Sequence, residues 1–376
     1  MAGRQRRVLA ATLALAACGG GDGQGPTDEG GPPVVGCSDG ATGGALTRVC
    51  FPADWNGDLI LYAHGYVQPD APLAIPDNVI GGTPVEDLVN ATGYAYATTS
   101  YRANGLVADM AVGDLVELEE MVRRTVRPDP ARVYIVGFSE GGLVAALAVE
   151  RQPDRYTGVL AACGPIGDFD RQIDYFNDVR VVFDYFFPGV IPGSPGEPPD
   201  EARIGWTSTY EPAVMAALAD DPDAALELAN VTGIPTVAGD PAILAETVAE
   251  ILWYNVFGTL DARARLGGQP YDNESKTYQG SSDDLALNAG VARFAADPAA
   301  RSALGRFETD GQPSAPISII HTTGDPIVRL FHQPLYEEEV AAAGLSALLD
   351  RSDVERFGHC AFTSGEILAA FSALPR

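Results

Sequence analysis

Gly137-Phe138-Ser139-Glu140-Gly141 holds a serine between two glycines spaced four residues apart. The apolar run 132–136 leads directly into it, and the Ala-rich stretch 141–150 leads directly out. In such a strand–turn–helix the turn is strained and lifts the serine hydroxyl above the sheet, the arrangement of a nucleophile elbow. Gly137 and Gly141 are needed because any side chain there would collide where strand and helix pass closely, and Gly142 extends the same tolerance. In a chain with 42 glycines the pentapeptide alone is a weak signal, so its flanking strand and helix carry the reading. Serine also needs an imidazole to take its proton at neutral pH. Four histidines are available: His64, His321, His332 and His359.

The segment 137–142, the His64-Gly65 turn and Gly358-His359-Cys360 together resemble the α/β-hydrolase superfamily. The resemblance runs from about residue 45 to the end, apart from an insertion, and is greatest to bacterial secreted carboxylesterases and lipases. Some relatives of that type hydrolyse polyesters. The resemblance implies a chain order of nucleophile, acid, base. His64 precedes the nucleophile, His321 ends a strand before any candidate acid, and His332 opens a helix expected to pack outside the sheet. His359 follows the last expected strand and is the expected base. The acid should follow the strand after the insertion, where the Gly324-Asp325 turn places a carboxylate at the strand's end; Asp168 and Asp170 are the alternatives. Asp325 would fix the tautomer of His359 and stabilise the imidazolium. The oxyanion donors implied are the amides of Glu140, at a helix N-terminus, and of Tyr66, after His64-Gly65. The Glu140 side chain is expected to anchor the elbow rather than act as a second base, and His64 to hold its loop.

These residues need a sheet to position them. From about residue 55 strand-like and helix-like segments alternate, which argues for a mostly parallel α/β sheet flanked by helices. Strands are expected at 59–63, 94–101, 132–136, 159–162, 317–320 and 346–351, and helices at 106–127, 141–150, 333–343 and 365–374. About 150 residues separate two of these strands, with helix-like stretches at 211–219, 242–257 and 285–296, so a largely helical cap is expected before the acid-bearing strand. The expected organisation is a signal peptide over 1–17, a flexible tether over 18–36, a core over 37–167, a cap over 168–314 and a second core part over 315–376. Six aromatics between Tyr175 and Phe187 are expected mainly to pack the cap, some of them free to line a groove. The pairs Asp220-Asp221 and Asp283-Asp284 match no calcium loop and read as solvated surface.

Arg4, Arg6 and Arg7 precede an apolar stretch too short to span a membrane, which ends Leu15-Ala16-Ala17-Cys18. That end looks like a bacterial lipobox, which implies acylation of Cys18 and an exported lipoprotein, periplasmic or at the cell surface and membrane-bound only through its anchor. Loss of residues 1–17 removes three arginines and no acid, taking the formal charge from −27 to −30. Such a surface argues against nucleic acid. The four remaining cysteines suit an oxidising compartment and allow three connectivities, of which Cys37–Cys50 with Cys163–Cys360 is favoured. No metal-ligand spacing is present, and no cofactor is expected. The expected function is ester hydrolysis through an acyl-enzyme by a monomer, with a small or polymeric ester as substrate. A peptidase or amidase of the same type, or a silent binding protein, are the alternatives. A dehalogenase is disfavoured because it carries Asp at the position of Ser139.

Overall fold

The computed structural model describes residues 31–375. Expectations for the signal, for Cys18 and for most of the tether lie outside the described residues. At the tether's end, Gly31 bridges Val126 and Gly36 already belongs to a strand.

Eight strands form one sheet: β1 (Gly36–Thr42), β2 (Ala45–Phe51), β3 (Leu59–Ala63), β4 (Ala95–Thr99), β5 (Val133–Phe138), β6 (Gly158–Ala162), β7 (Ile317–Gly324) and β8 (Leu349–Phe357). Their order is β1-β2-β4-β3-β5-β6-β7-β8. The β1–β2 and β2–β4 pairings are antiparallel and all others parallel. The period of two along each strand divides the core. Leu59, Leu61, Val133, Ile135, Val159, Ala161, Ile317 and Ile319 face helices Ala108–Thr125 and Glu140–Arg151. Ile60, Tyr62, Tyr134, Val136, Leu160 and Ile320 face helices Val85–Ala91 and Ser364–Ser372. Central strands buried on both faces have to read as continuous apolar runs, which is why the sequence displays them.

The two edges differ from expectation for one reason. Residues 37–50 form a hairpin where no strand was expected, with Cys37 opposite Cys50 and bonded to it. β1 is almost entirely exposed and carries no apolar pattern. At the other edge, the strand expected at 346–351 begins at Leu349 and continues to Phe357. Its half-exposed sequence is rich in charge, so it hides among loops until its neighbour supplies the hydrogen bonds.

Between β6 and β7 the chain is mainly helical, with its own core around Val182, Phe183, Leu228, Val248 and Leu252. The helices expected at 211–219 and 242–257 are found at Glu211–Asp220 and Pro241–Leu266. That expected at 285–296 stops at Gly290. Helices Phe169–Phe186 and Pro222–Thr232 were not anticipated. Asp221 and Asp283 accept from the amides of Ala224 and Ala286 as helix caps.

Arg180 holds this layer from within. It is wholly buried and donates to Asp184, to the carbonyls of Ile191 and Pro192, and to Asn255. Arg180→Met strands these acceptors, and the expected loss is about 3–5 kcal/mol. Urea unfolding followed by tryptophan fluorescence would measure it, since Trp206 and Trp253 lie in this layer. A loss below about 1 kcal/mol would show that the network is not what holds the layer together.

Candidate active site

Ser139 sits at the junction of β5 and helix Glu140–Arg151 with φ +57° and ψ −126°, a conformation costly for a residue with a side chain. The glycines around it are dictated by contact. A Cβ on Gly137 would stand 1.9 Å from the Gly141 carbonyl oxygen, and one on Gly141 would stand 2.0 Å from that of Ala63. The elbow exists because backbone passes backbone with no room for a methyl group.

His359 lies in the loop after β8, with Nε2 2.8 Å from Ser139 Oγ and Nδ1 2.8 Å from Asp325 Oδ2. With Nδ1–H donating to the carboxylate, Nε2 is left to accept the serine proton. Asp325 is fully buried, and its Oδ1 accepts from the amides of Ile327 and Val328. The carboxylate is thereby fixed from both ends. Burial disfavours the charged imidazole of His359, but Asp325, joined by Glu250, outweighs it and raises the group above its ordinary 6.5.

The other residues considered have separate roles. Asp168 caps helix Phe169–Phe186 and Asp170 pairs with Arg301, so both alternatives to Asp325 are engaged elsewhere. His64 stacks on Tyr101 and bonds the Gly65 carbonyl. His321 bonds the Val328 carbonyl. His332 is completely buried, donates to the Ile166 carbonyl and is pushed down to about 3 by burial, which keeps it neutral. It opens its helix as expected but faces inward.

Gly65 lies against Ser139, where a Cβ would be 3.3 Å from Ser139 Cβ. Tyr66, Ser139 and Glu140 line one cavity of about 70 Å³ with Phe176, Tyr254 and Ile327. The amides of the first residues of a helix have no partner within it, which leaves that of Glu140 for an incoming oxyanion. Cys163, directly after β6, is bonded to Cys360, directly after His359. This bridge ties the histidine loop to the neighbouring strand edge.

Eight parallel-dominated strands in this order, with a serine elbow after β5 and the histidine after β8, decide the architecture. The chain has the α/β-hydrolase fold. Among solved structures it is similar to feruloyl esterase B of Aspergillus oryzae, with a TM-score of 0.45 and 14% identity, covering 86% of this chain and 73% of that one. It is also similar to an esterase of Pyrococcus furiosus, with a TM-score of 0.45 and 11% identity over 92% of this chain and 98% of that one. An acylaminoacyl peptidase of Pyrococcus horikoshii gives 0.40 and 12% identity, with 84% of this chain covering 36% of that one. These likenesses concern the course of the chain and not its substrate. No family model and no curated protein matches the sequence.

Of two acids near the site, Glu140 stands out in the sequence by its place beside Ser139, whereas Glu250 carries no sequence signal. Glu250, on helix Pro241–Leu266, contributes its charge to His359 across the fold. Glu140 Oε1 accepts from the Val107 amide, as an anchor would, while Oε2 is buried without a partner. Burial pushes Glu140 up to about 8, so it is largely protonated at neutral pH. A folded value above the ordinary 4.5 means that its contribution to stability is complete below pH 4.5 and is lost as pH rises through about 8. Glu140→Gln keeps the amide contact and cannot ionise. Its Tm is expected to match wild type at pH 5 and to exceed it by a few degrees at pH 8.5, as one kcal/mol moves a domain of this size by about 2–4 °C or less. Parallel Tm curves across that range would mean Glu140 does not titrate there.

Proposed function

We propose that this chain is a serine hydrolase that cleaves carboxylic esters through an acyl-enzyme. Ser139 is the proposed nucleophile, His359 the base and then the acid, and Asp325 the group that orients the imidazole. The observation that carries this reading is the unbroken run of hydrogen bonds Asp325–His359–Ser139, ending at a strained elbow. On attack, His359 takes the hydroxyl proton as the oxygen bonds the carbonyl carbon, and returns it to the departing alcohol. The amides of Tyr66 and Glu140 are the proposed donors to the oxyanion. Water, activated by the same imidazole, then releases the acid. The apolar wall that Phe176 and Ile327 give the cavity beside Ser139 favours an acyl chain over a charged peptide residue.

The two disulfides suit an oxidising compartment outside the cytoplasm. Among the described residues no helix is long and apolar enough to cross a membrane. Membrane attachment through acylated Cys18 remains part of the proposal, as does action as a monomer on small or polymeric esters. Cys18→Ala is expected to move the protein from the membrane to the soluble fraction; unchanged fractionation with palmitate still incorporated would refute the anchor.

Ser139→Ala should lower kcat for 4-nitrophenyl esters by about 10⁴–10⁶-fold and abolish fluorophosphonate labelling, and Asp325→Asn should cost about 10³–10⁴-fold. Faster turnover of peptide anilides than of esters by the same preparation would transfer the assignment to a peptidase. The base must be neutral to act, so a raised His359 places the acid limb of kcat/KM above pH 6.5, with activity falling as pH drops through it. Glu250→Gln should move that limb to lower pH. A limb below 6.5 in wild type would exclude His359 as the base in this electrostatic setting.

A further inference from the structure

Two cavities share Tyr254 as a wall. The smaller, of about 70 Å³, contains Ser139 and is walled by Ile173, Phe176 and Tyr254. The larger, of about 440 Å³, is lined by Trp206, Met215, Glu250, Trp253 and the same Tyr254.

Acyl transfer assigns these spaces different occupants. The acyl carbon is bonded to the nucleophile, whereas the alcohol must depart beside the imidazole that protonates it. Ser139, with Tyr66 and Glu140, opens on the smaller cavity, which is therefore the acyl side. The larger cavity shares the Tyr254 wall with the smaller one and is bordered by Glu250, whose charge reaches His359, so the departing alcohol is assigned to it.

Volume then sets the acyl length. A cavity of about 150 Å³ accommodates benzene, with its six heavy atoms, so half that volume has room for about three. The walls are not free to yield. Phe176 and Tyr254 stack 5.1 Å apart at 10°, Tyr254 meets Trp253 edge-on at 4.9 Å, and Trp253 stacks on Phe257 at 4.6 Å. Extra methylenes in a space bounded by packed rings force those rings apart. In the larger cavity, Trp253 offers indole surface to a flat leaving group.

We infer that the site takes esters of a short acyl group, about two to four carbons long, carried on a bulky aromatic alcohol. Phe176 sets the acyl limit and Trp253 receives the alcohol. This inference rests on the ester-cleaving reading above and adds the substrate class to it.

The test uses the full chain. kcat/KM is measured for 4-nitrophenyl acetate, butyrate and octanoate, and for methyl and 2-naphthyl acetate. Wild type, Phe176→Ala and Trp253→Ala are compared, and fluorophosphonate labelling counts intact sites in each. Wild type should lose at least about tenfold between butyrate and octanoate, and Phe176→Ala should raise the octanoate-to-acetate ratio of kcat/KM by about that factor. Trp253→Ala should lower the ratio of kcat/KM for 2-naphthyl over methyl acetate by about tenfold. If Phe176→Ala fails to label, Phe176→Leu replaces it, with a smaller shift in the same direction. Equal turnover of all acyl lengths by wild type would overturn the inference and leave the ester reading standing. Labelling of Ser139 without turnover of any ester would remove both. An acyl profile untouched at Phe176 in both variants, or an alcohol preference untouched at Trp253, would overturn that residue's assignment.

Discussion

The close passage of β5, β3 and helix Glu140–Arg151 at Gly137 and Gly141 is the constraint on which the site depends. Backbone atoms approach there to distances that exclude a Cβ, and the chain turns through a conformation costing about 1–3 kcal/mol at Ser139. The cost is borne by one of the most densely packed parts of the molecule, where residues 143–149 of the helix are all buried against the sheet. A looser junction would relax the turn and withdraw the hydroxyl from His359.

The remaining members of the triad arrive on loops, each fixed by a different device. Asp325 is clamped by the amides of Ile327 and Val328, whose side chains belong to the hydrophobic core of the helical insertion. Packing of the insertion is thus coupled directly to the carboxylate. His359 is held by the bridge from Cys163 to Cys360, so its loop answers to β6 rather than only to its own edge strand. Sheet, insertion and disulfide each hold one of the three proposed catalytic groups.

Two acids near the site, Glu140 buried and Glu250 exposed, give it an electrostatic character of its own. Glu140 is kept mostly neutral behind the elbow, where a charge would oppose a developing oxyanion. Glu250 stands near the imidazole, where a negative charge favours the protonated form that follows attack.

The elbow, the central strands and the helices around them were legible because strands buried on both faces must be apolar throughout and the turn must be glycine-flanked. His359 and Asp325 were legible through chain order, and the cysteine pairing through count and compartment. The hairpin at one edge and the full length of β8 at the other were not, since an edge strand takes its definition from a neighbour's hydrogen bonds. The inward packing of His332, the long aromatic helix and the position of Glu250 beside His359 were equally hidden. Sequence determined which residues are chemically capable and in what order they occur, because pattern and spacing are local. Only the tertiary structure decided the volume beside Ser139, the partition of space by Tyr254 and which acids are neutral, because each depends on contacts between segments far apart in the chain.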